Sequence, residues 1–177
     1  MKWQTYDAIE HEQEVYGLKD IEFLKFADLP VRADQAMEIA YMGCPPVDDL
    51  TDKKWRLRRG QEVSATVGDY LAYIASSRGE WSVAKNAYVR MHSGWFSERS
   101  ACYLAFGRPV VVQDTGFSDW MRTGLGVMPF TDLEKAVEAI ADIAERYETH
   151  RDAAREMAAE YFDARKVLPE LLGIAMN

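Results

Sequence analysis

Apolar and polar positions along the chain alternate between two periods. The clearest helical period runs from about Asp132 to Tyr147, where Leu133, Ala136, Val137, Ile140, Ile143, Ala144 and Tyr147 recur on one face. Thr131 and Asp132 are cap candidates there, with Glu134 in the first turn. Further helices are predicted from Asp20 (Ile21, Leu24, Ala27), stopping near Leu29-Pro30, from Asp69 near its cap, from about Asp152 to Phe162, and over Val167 to Ile174. Short apolar runs bounded by turn residues predict strands: Ala36 to Met42, closed by Gly43 and Pro45-Pro46; Trp55 to Leu57; Pro109 to Gln113; and Val127-Met128. Residues 1–20 are polar, aromatic and acidic with weak periodicity, so a ragged strand or helix is all they suggest. Short strands alternating with helices favour an α/β fold with a parallel sheet. No repeat, low-complexity tract or linker divides the chain, so the expectation is one domain over residues 1–177, with 1–20 poorly defined.

The stretch 93–117 carries the densest information. The polar residues Ser97-Glu98-Arg99-Ser100 open a short helix that ends at Gly107. The buried strand Pro109 to Gln113 follows, and a second polar loop, Asp114-Thr115-Gly116-Phe117, closes the unit. Both loops can lie at one end of a sheet, where open α/β folds bind phosphorylated ligands. The helix start offers free amide hydrogens and a partial positive charge. Ser97 and Ser100 add hydroxyl donors, and Arg99 adds a fork that fits phosphate oxygens. Lys85 could reach a phosphate from the preceding element. Gly116 can take the positive φ of a tight ligand-facing turn, and Asp114 could accept from sugar hydroxyls. The plainer alternatives are that Ser97 only caps its helix, Arg99 and Lys85 are surface charges, and Asp114 is a local turn cap. Glu80 could bind ribose but reads rather as exposed, and Trp95 and Phe96 read as core rather than as base-stacking platforms.

Composition narrows the partners. Among 177 residues the net charge is −8, which disfavours binding to nucleic acid or an anionic membrane surface and requires a local basic pocket for any anionic ligand. Lys85, Arg90, Arg99 and Arg108 can supply one. No apolar run approaches the ~20 residues that cross a bilayer, and no signal-like apolar region follows Met1, so a cytoplasmic location is expected. Cys44 and Cys102 are far apart, and His11, His92 and His150 form no ligand pattern, so no metal or other cofactor is expected. The acidic pair Asp48-Asp49 suggests a response-regulator-like domain only weakly, because no lysine partner follows a late strand.

Several runs together resemble one family. Gly79-Glu80-Trp81-Ser82-Val83-Ala84-Lys85, the stretch Gly94 to Val110, Gln113 to Phe117, and Glu22 to Pro30 are similar to the C-terminal, nucleotide-sugar-binding domain of two-domain GT-B glycosyltransferases. The resemblance is best from about Ser76 to Leu172. It implies a single Rossmann-like parallel sheet flanked by helices, half of a GT-B fold. It implies a nucleoside diphosphate sugar as ligand, with Lys85, Ser97, Arg99 and Ser100 near the diphosphate and Asp114, Thr115, Gly116 and Phe117 forming a sugar or phosphate loop. It further implies that transfer needs an acceptor-binding domain, subunit or second copy, because the acceptor half normally supplies the catalytic base. Cys102 stands where many retaining members carry a glutamate. The alternative is a degenerate, non-catalytic domain that binds a partner or itself.

Overall fold

The computed structural model describes residues 1–4 and 7–176. Thr5, Tyr6 and Asn177 lie outside the described residues, and so does the part of the 1–20 expectation that falls on them. The rest of that segment holds a small antiparallel hairpin, β1 (Ile9–His11) and β2 (Glu14–Tyr16), turned through Glu12 and Gln13 at positive φ.

Helices α1 (Lys19–Leu24) and α2 (Leu29–Ala33) follow. Pro30 does not end a helix, as its ring suggests in sequence. It sits in the first turn of α2, where its missing N–H costs nothing. Strand β3 (Met37–Tyr41) leads through α3 (Val47–Asp52) to β4 (Trp55–Arg59), and the two pair in parallel. Then come α4 (Gly60–Ser64) and α5 (Val67–Ser76). The cap of α5 is Thr66, and Asp69 is its capping-box partner three residues on, not the cap itself.

Strand β5 (Glu80–Ser82), α6 (Asn86–Arg90), α7 (Glu98–Ala105), β6 (Val110–Gln113), a 3-10 turn (Phe117–Asp119) and β7 (Val127–Phe130) form a parallel sheet in the order β5-β6-β7. Helices α8 (Leu133–Glu145), α9 (Tyr147–Tyr161) and α10 (Ala164–Ala175) complete the chain. Asp132 caps α8 as expected. The break before α9 comes at Arg146, earlier than Asp152, where Arg146 leaves the helical conformation at φ −114° and ψ 38°.

Every residue of β6 is buried, as a parallel strand covered on both faces requires. Its alternation divides the interior. Val111 faces a cluster with Trp3, Phe23, Phe26, Trp55, Phe130 and the apolar stripe of α8. Val110 and Val112 face Ile74, Tyr103, Leu104, Phe117 and Met157. In the first cluster the Trp81 and Phe130 rings stack at 5.7 Å between centroids, and Phe23 sits 5.0 Å from Trp55. Helices thus flank small parallel sheets in a Rossmann-like α/β arrangement. Among the described residues, no helix is long and apolar enough to cross a membrane.

Candidate functional site

Alternation along β5 sets the site. Trp81 turns into the aromatic core, so Glu80 and Ser82, two residues apart, share the opposite face. Arg99, in the first turn of α7, reaches back onto that face. Its Nε donates to Glu80 Oε1 at 2.5 Å and its Nη2 donates to Ser82 Oγ at 2.6 Å. Glu80 is therefore buried, at 7 % exposure, rather than exposed. Its second oxygen, Oε2, has no hydrogen-bond partner among the described residues. Burial would lower the Arg99 pKa, but the charge and hydrogen bond of Glu80 outweigh it and hold the guanidinium more firmly protonated.

Ser97 is the N-cap of α7, and its Oγ accepts from the Arg99 amide at 3.3 Å. Ser100 is fully buried with its hydroxyl unpaired. Neither hydroxyl is turned to solvent, so the amide end of α7 and the cations beside it carry the site's polarity. Lys85 is the N-cap residue of α6, just beyond β5, with its Nζ 5.2 Å from the Tyr88 ring centroid.

The second loop meets the first. The Gly94 amide donates to Thr115 O at 2.7 Å, and Thr115 Oγ1 donates to Trp95 O at 2.6 Å. Trp120 Nε1 donates to Gly94 O at 3.0 Å. Gly116 has φ +93°, a conformation that favours glycine, and a Cβ there would sit 2.7 Å from the ring of the exposed His92 side chain. Asp114 is occupied locally: Oδ1 accepts from the Gly116 amide at 2.9 Å and Oδ2 from Ser118 Oγ at 2.6 Å. Phe117 is buried edge-on against Phe96. The two polar loops thus lie together beyond the C-terminal end of β6.

Sequence reasoning missed Lys19. It opens α1 far from the motif in sequence, yet Arg99, Glu80, Glu98 and Lys85 are its electrostatic neighbours. Its Nζ lies 5.9 Å from the Trp95 ring centroid. Burial above all, then the Arg99 charge, pushes its pKa down to about 8. A lysine so placed still carries a proton at neutral pH and gains from any anion. No local signal marks it, since the packing of α1 against α6 and the approach of Lys19 to Trp95 are tertiary events. Among the described residues, no group of three or more His, Cys, Asp or Glu side chains is placed to hold a metal ion.

No family model, curated protein or solved structure matches the chain.

A cavity of about 460 Å³ is lined by residues 35–40 of the β3 segment, residues 76–83 around β5, and Phe23, Trp55, Ile140 and Ile143. Of the sequence-predicted site residues, Arg99 alone lines it.

Proposed function

We propose that the chain is the donor-binding part of a glycosyltransferase of the GT-B type. It would hold a nucleoside diphosphate sugar between the loops 93–97 and 114–117, with Lys19, Lys85 and Arg99 facing the diphosphate. One observation carries this reading: two polar loops, hydrogen-bonded to each other, meet at the ends of parallel strands beside three cations in a chain of net charge −8. The leaving diphosphate gains charge during transfer, and preorganised amides and cations are what stabilise it. Binding in this reading needs no metal, because the cations and the α7 amides meet the phosphate charge. The acceptor is held by a second domain, a partner subunit or a second copy, so the chain alone transfers poorly. Losing the positioned acceptor forfeits on the order of 7–11 kcal/mol of barrier lowering.

The test is calorimetry with UDP, GDP, ADP and their sugars, each with magnesium and with chelator. Metal-independent binding of one of them is expected, weakened by about 1.5–3 kcal/mol in Lys85→Ala. No heat with any nucleotide, from a chain shown to be folded, overturns the reading. A strict metal requirement overturns its metal-free form.

Three observations favour the second reading, a non-catalytic module that binds a partner or itself. The Arg99 fork is already engaged by Glu80 and Ser82, and Cys102 cannot accept paired ribose hydroxyls as a carboxylate does. In addition, α10 exposes Val167, Leu168, Leu171 and Leu172 with no buried residue along it.

A further inference from the structure

Of the five tryptophans, Trp3 and Trp55 are buried, Trp81 and Trp95 are half-buried, and Trp120 is exposed, at 48 %. Trp120 belongs to neither core cluster. A single apolar side chain on a surface is ordinary, but this one is fixed in place. It closes the 3-10 turn, where its amide donates to Phe117 O at 3.1 Å. Its Nε1 donates to Gly94 O at 3.0 Å, and the indole edge lies against that glycine. The Tyr161 ring stands 6.2 Å away between centroids at an angle of 66°. Tyr161 is itself held, since its hydroxyl accepts from the Arg122 amide at 3.0 Å. Gly94 is also the residue whose amide donates to Thr115 O. The indole is therefore tied to the backbone contact that joins loop 93–97 to loop 114–117.

The rim around this aromatic face is polar. Asp119, whose side chain is 71 % exposed, immediately precedes Trp120 and is held by His92 Nε2 at 3.0 Å. Arg122, two residues on, pairs with Glu160 at 3.1 Å. An ordered indole half open to water and bordered by carboxylates, an imidazole and a guanidinium matches the two-sided chemistry of a pyranose. The C–H bonds on one face of a sugar ring are apolar and slightly positive, so they settle on the negative face of a π system. That contact also takes apolar area of both partners out of water. The hydroxyls at the edge of the sugar need donors and acceptors, which the rim supplies.

Building on the nucleotide-sugar reading, we propose that Trp120 is the stacking platform for the sugar ring of the donor. The 3-10 turn that carries it continues directly from loop 114–117, the sugar side of the proposed site, so the ring it meets is the sugar and not the base. The indole then acts on the sugar nucleotide and leaves the bare nucleotide untouched. It separates the two ligands where Lys19, Lys85 and Arg99, which face the diphosphate common to both, do not.

Calorimetry compares UDP, GDP and ADP with UDP-glucose, GDP-mannose and ADP-glucose on the parent chain, on Trp120→Leu and on Trp120→Phe. The readout is the Kd of a sugar nucleotide divided by the Kd of its bare nucleotide. Leucine keeps apolar bulk but loses the π face, and is expected to raise this ratio about five- to tenfold. Phenylalanine keeps a π face but loses the bond to Gly94 O, and is expected to leave the ratio within about twofold of the parent. A ratio that leucine leaves unchanged, including the case in which both ligands weaken together, makes Trp120 a support for the loops and overturns the proposal. An equal rise with phenylalanine assigns the effect to the Nε1 hydrogen bond and overturns it too. Both outcomes leave the nucleotide-sugar reading standing. If none of the six ligands binds the folded parent, that reading fails and the platform fails with it. In NMR of the parent saturated with the sugar nucleotide that binds, nuclear Overhauser contacts are expected between the sugar C–H protons and the Trp120 indole, and their absence overturns the proposal.

Discussion

Arg99 is held by what it neutralises. Glu80 is almost wholly buried and its side chain is 4 % exposed, whereas that of Arg99 is 28 % exposed, so the carboxylate depends on the pair more than the guanidinium does. Removing the cation leaves a buried charge without compensation, a loss of about 3–5 kcal/mol for a fully buried pair. Partial solvent at Arg99 places Arg99→Ala near the lower end, about 3 kcal/mol, in urea unfolding. The double variant Glu80→Gln/Arg99→Met removes both charges and is expected to be the more stable of the two. If the double variant is no better than Arg99→Ala, the pair is not the source of the loss. Gly116 makes a separate case. Its φ of +93° alone penalises alanine by about 1–2 kcal/mol. The added Cβ would also meet His92, but that side chain is 66 % exposed and can swing aside, so the backbone term decides. Gly116→Ala is expected to lose about 1–2 kcal/mol in the same assay; an unchanged midpoint would show that the loop accommodates the residue freely.

Between elements, one buried carboxylate ties α1 to both α6 and β6. Glu22 Oε1 accepts from Lys25 Nζ at 2.7 Å and from Asn86 Nδ2 at 2.7 Å, while Oε2 accepts from Gln113 Nε2 at 2.6 Å. Asn86 Oδ1 in turn accepts from the Gly17 amide at 2.9 Å, and Gln113 Oε1 from the Ala84 amide at 3.1 Å. Burial alone would raise the Glu22 carboxyl, but these hydrogen bonds and the Lys25 charge outweigh it and hold it below the ordinary range. With the folded pKa depressed, the unfolded chain takes up the proton first. The stabilisation is complete above about pH 5 and disappears as pH falls through the unfolded value near 4.3 toward the folded one. Glu22→Gln is expected to lose about 1–3 kcal/mol at neutral pH, with the gap to the parent closing in acid. A constant gap from pH 7 to pH 3 would refute the assignment. His150 acts over a higher window. It is fully buried, its Nδ1 accepts from the Gly126 amide at 3.2 Å, and burial above all lowers its pKa. The unfolded imidazole therefore binds a proton from about pH 6.5 downward, and stability begins to fall there. Replacing His150 with Gln should flatten the curve between pH 6.5 and 5 and leave the Glu22 step in place. The elements differ in how plainly the sequence announces them, for the same physical reasons. Val110 to Gln113 and the stripe of α8 read directly, since burial on both faces and a helical stripe are local patterns. Strand β5 does not, because Glu80-Trp81-Ser82 has one apolar residue and no run; only the alternation hints that Glu80 and Ser82 share a face. A glutamate beside Gly79 looks like surface until Arg99 is seen above it. The Ser97 cap and the Gly116 turn are legible, being local chemistry, whereas Lys19 reaches the site through the packing of α1 against distant residues.

At the scale of the whole molecule, apolar surface is distributed unevenly. Two clusters on opposite faces of β6 hold the aromatic and aliphatic core, and α9 delivers Ala153, Ala154 and Met157 to the interior. Helix α10 delivers nothing: Leu168 is 54 % exposed, Leu171 and Leu172 are each 59 % exposed, and no residue of the helix is buried. A helix that shields no core contributes little to folding, since helical stability in proteins comes mostly from tertiary packing of an apolar face. Ending the chain at Asp163 is therefore expected to change the unfolding free energy by less than about 0.5 kcal/mol. The contact of Phe162 with Phe96, stacked at 5.6 Å, lies before the cut and survives it. The same exposed stripe favours association, because contiguous apolar surface on a soluble body is usually covered by something. The full chain is expected to sediment as heavier species as its concentration rises, and the shortened chain to remain one species over the same range. A loss of more than about 1 kcal/mol on truncation would mean that α10 packs against the body in solution. Identical sedimentation of the two chains would remove α10 as the associating surface, and with it one of the three observations that favour a partner-binding module.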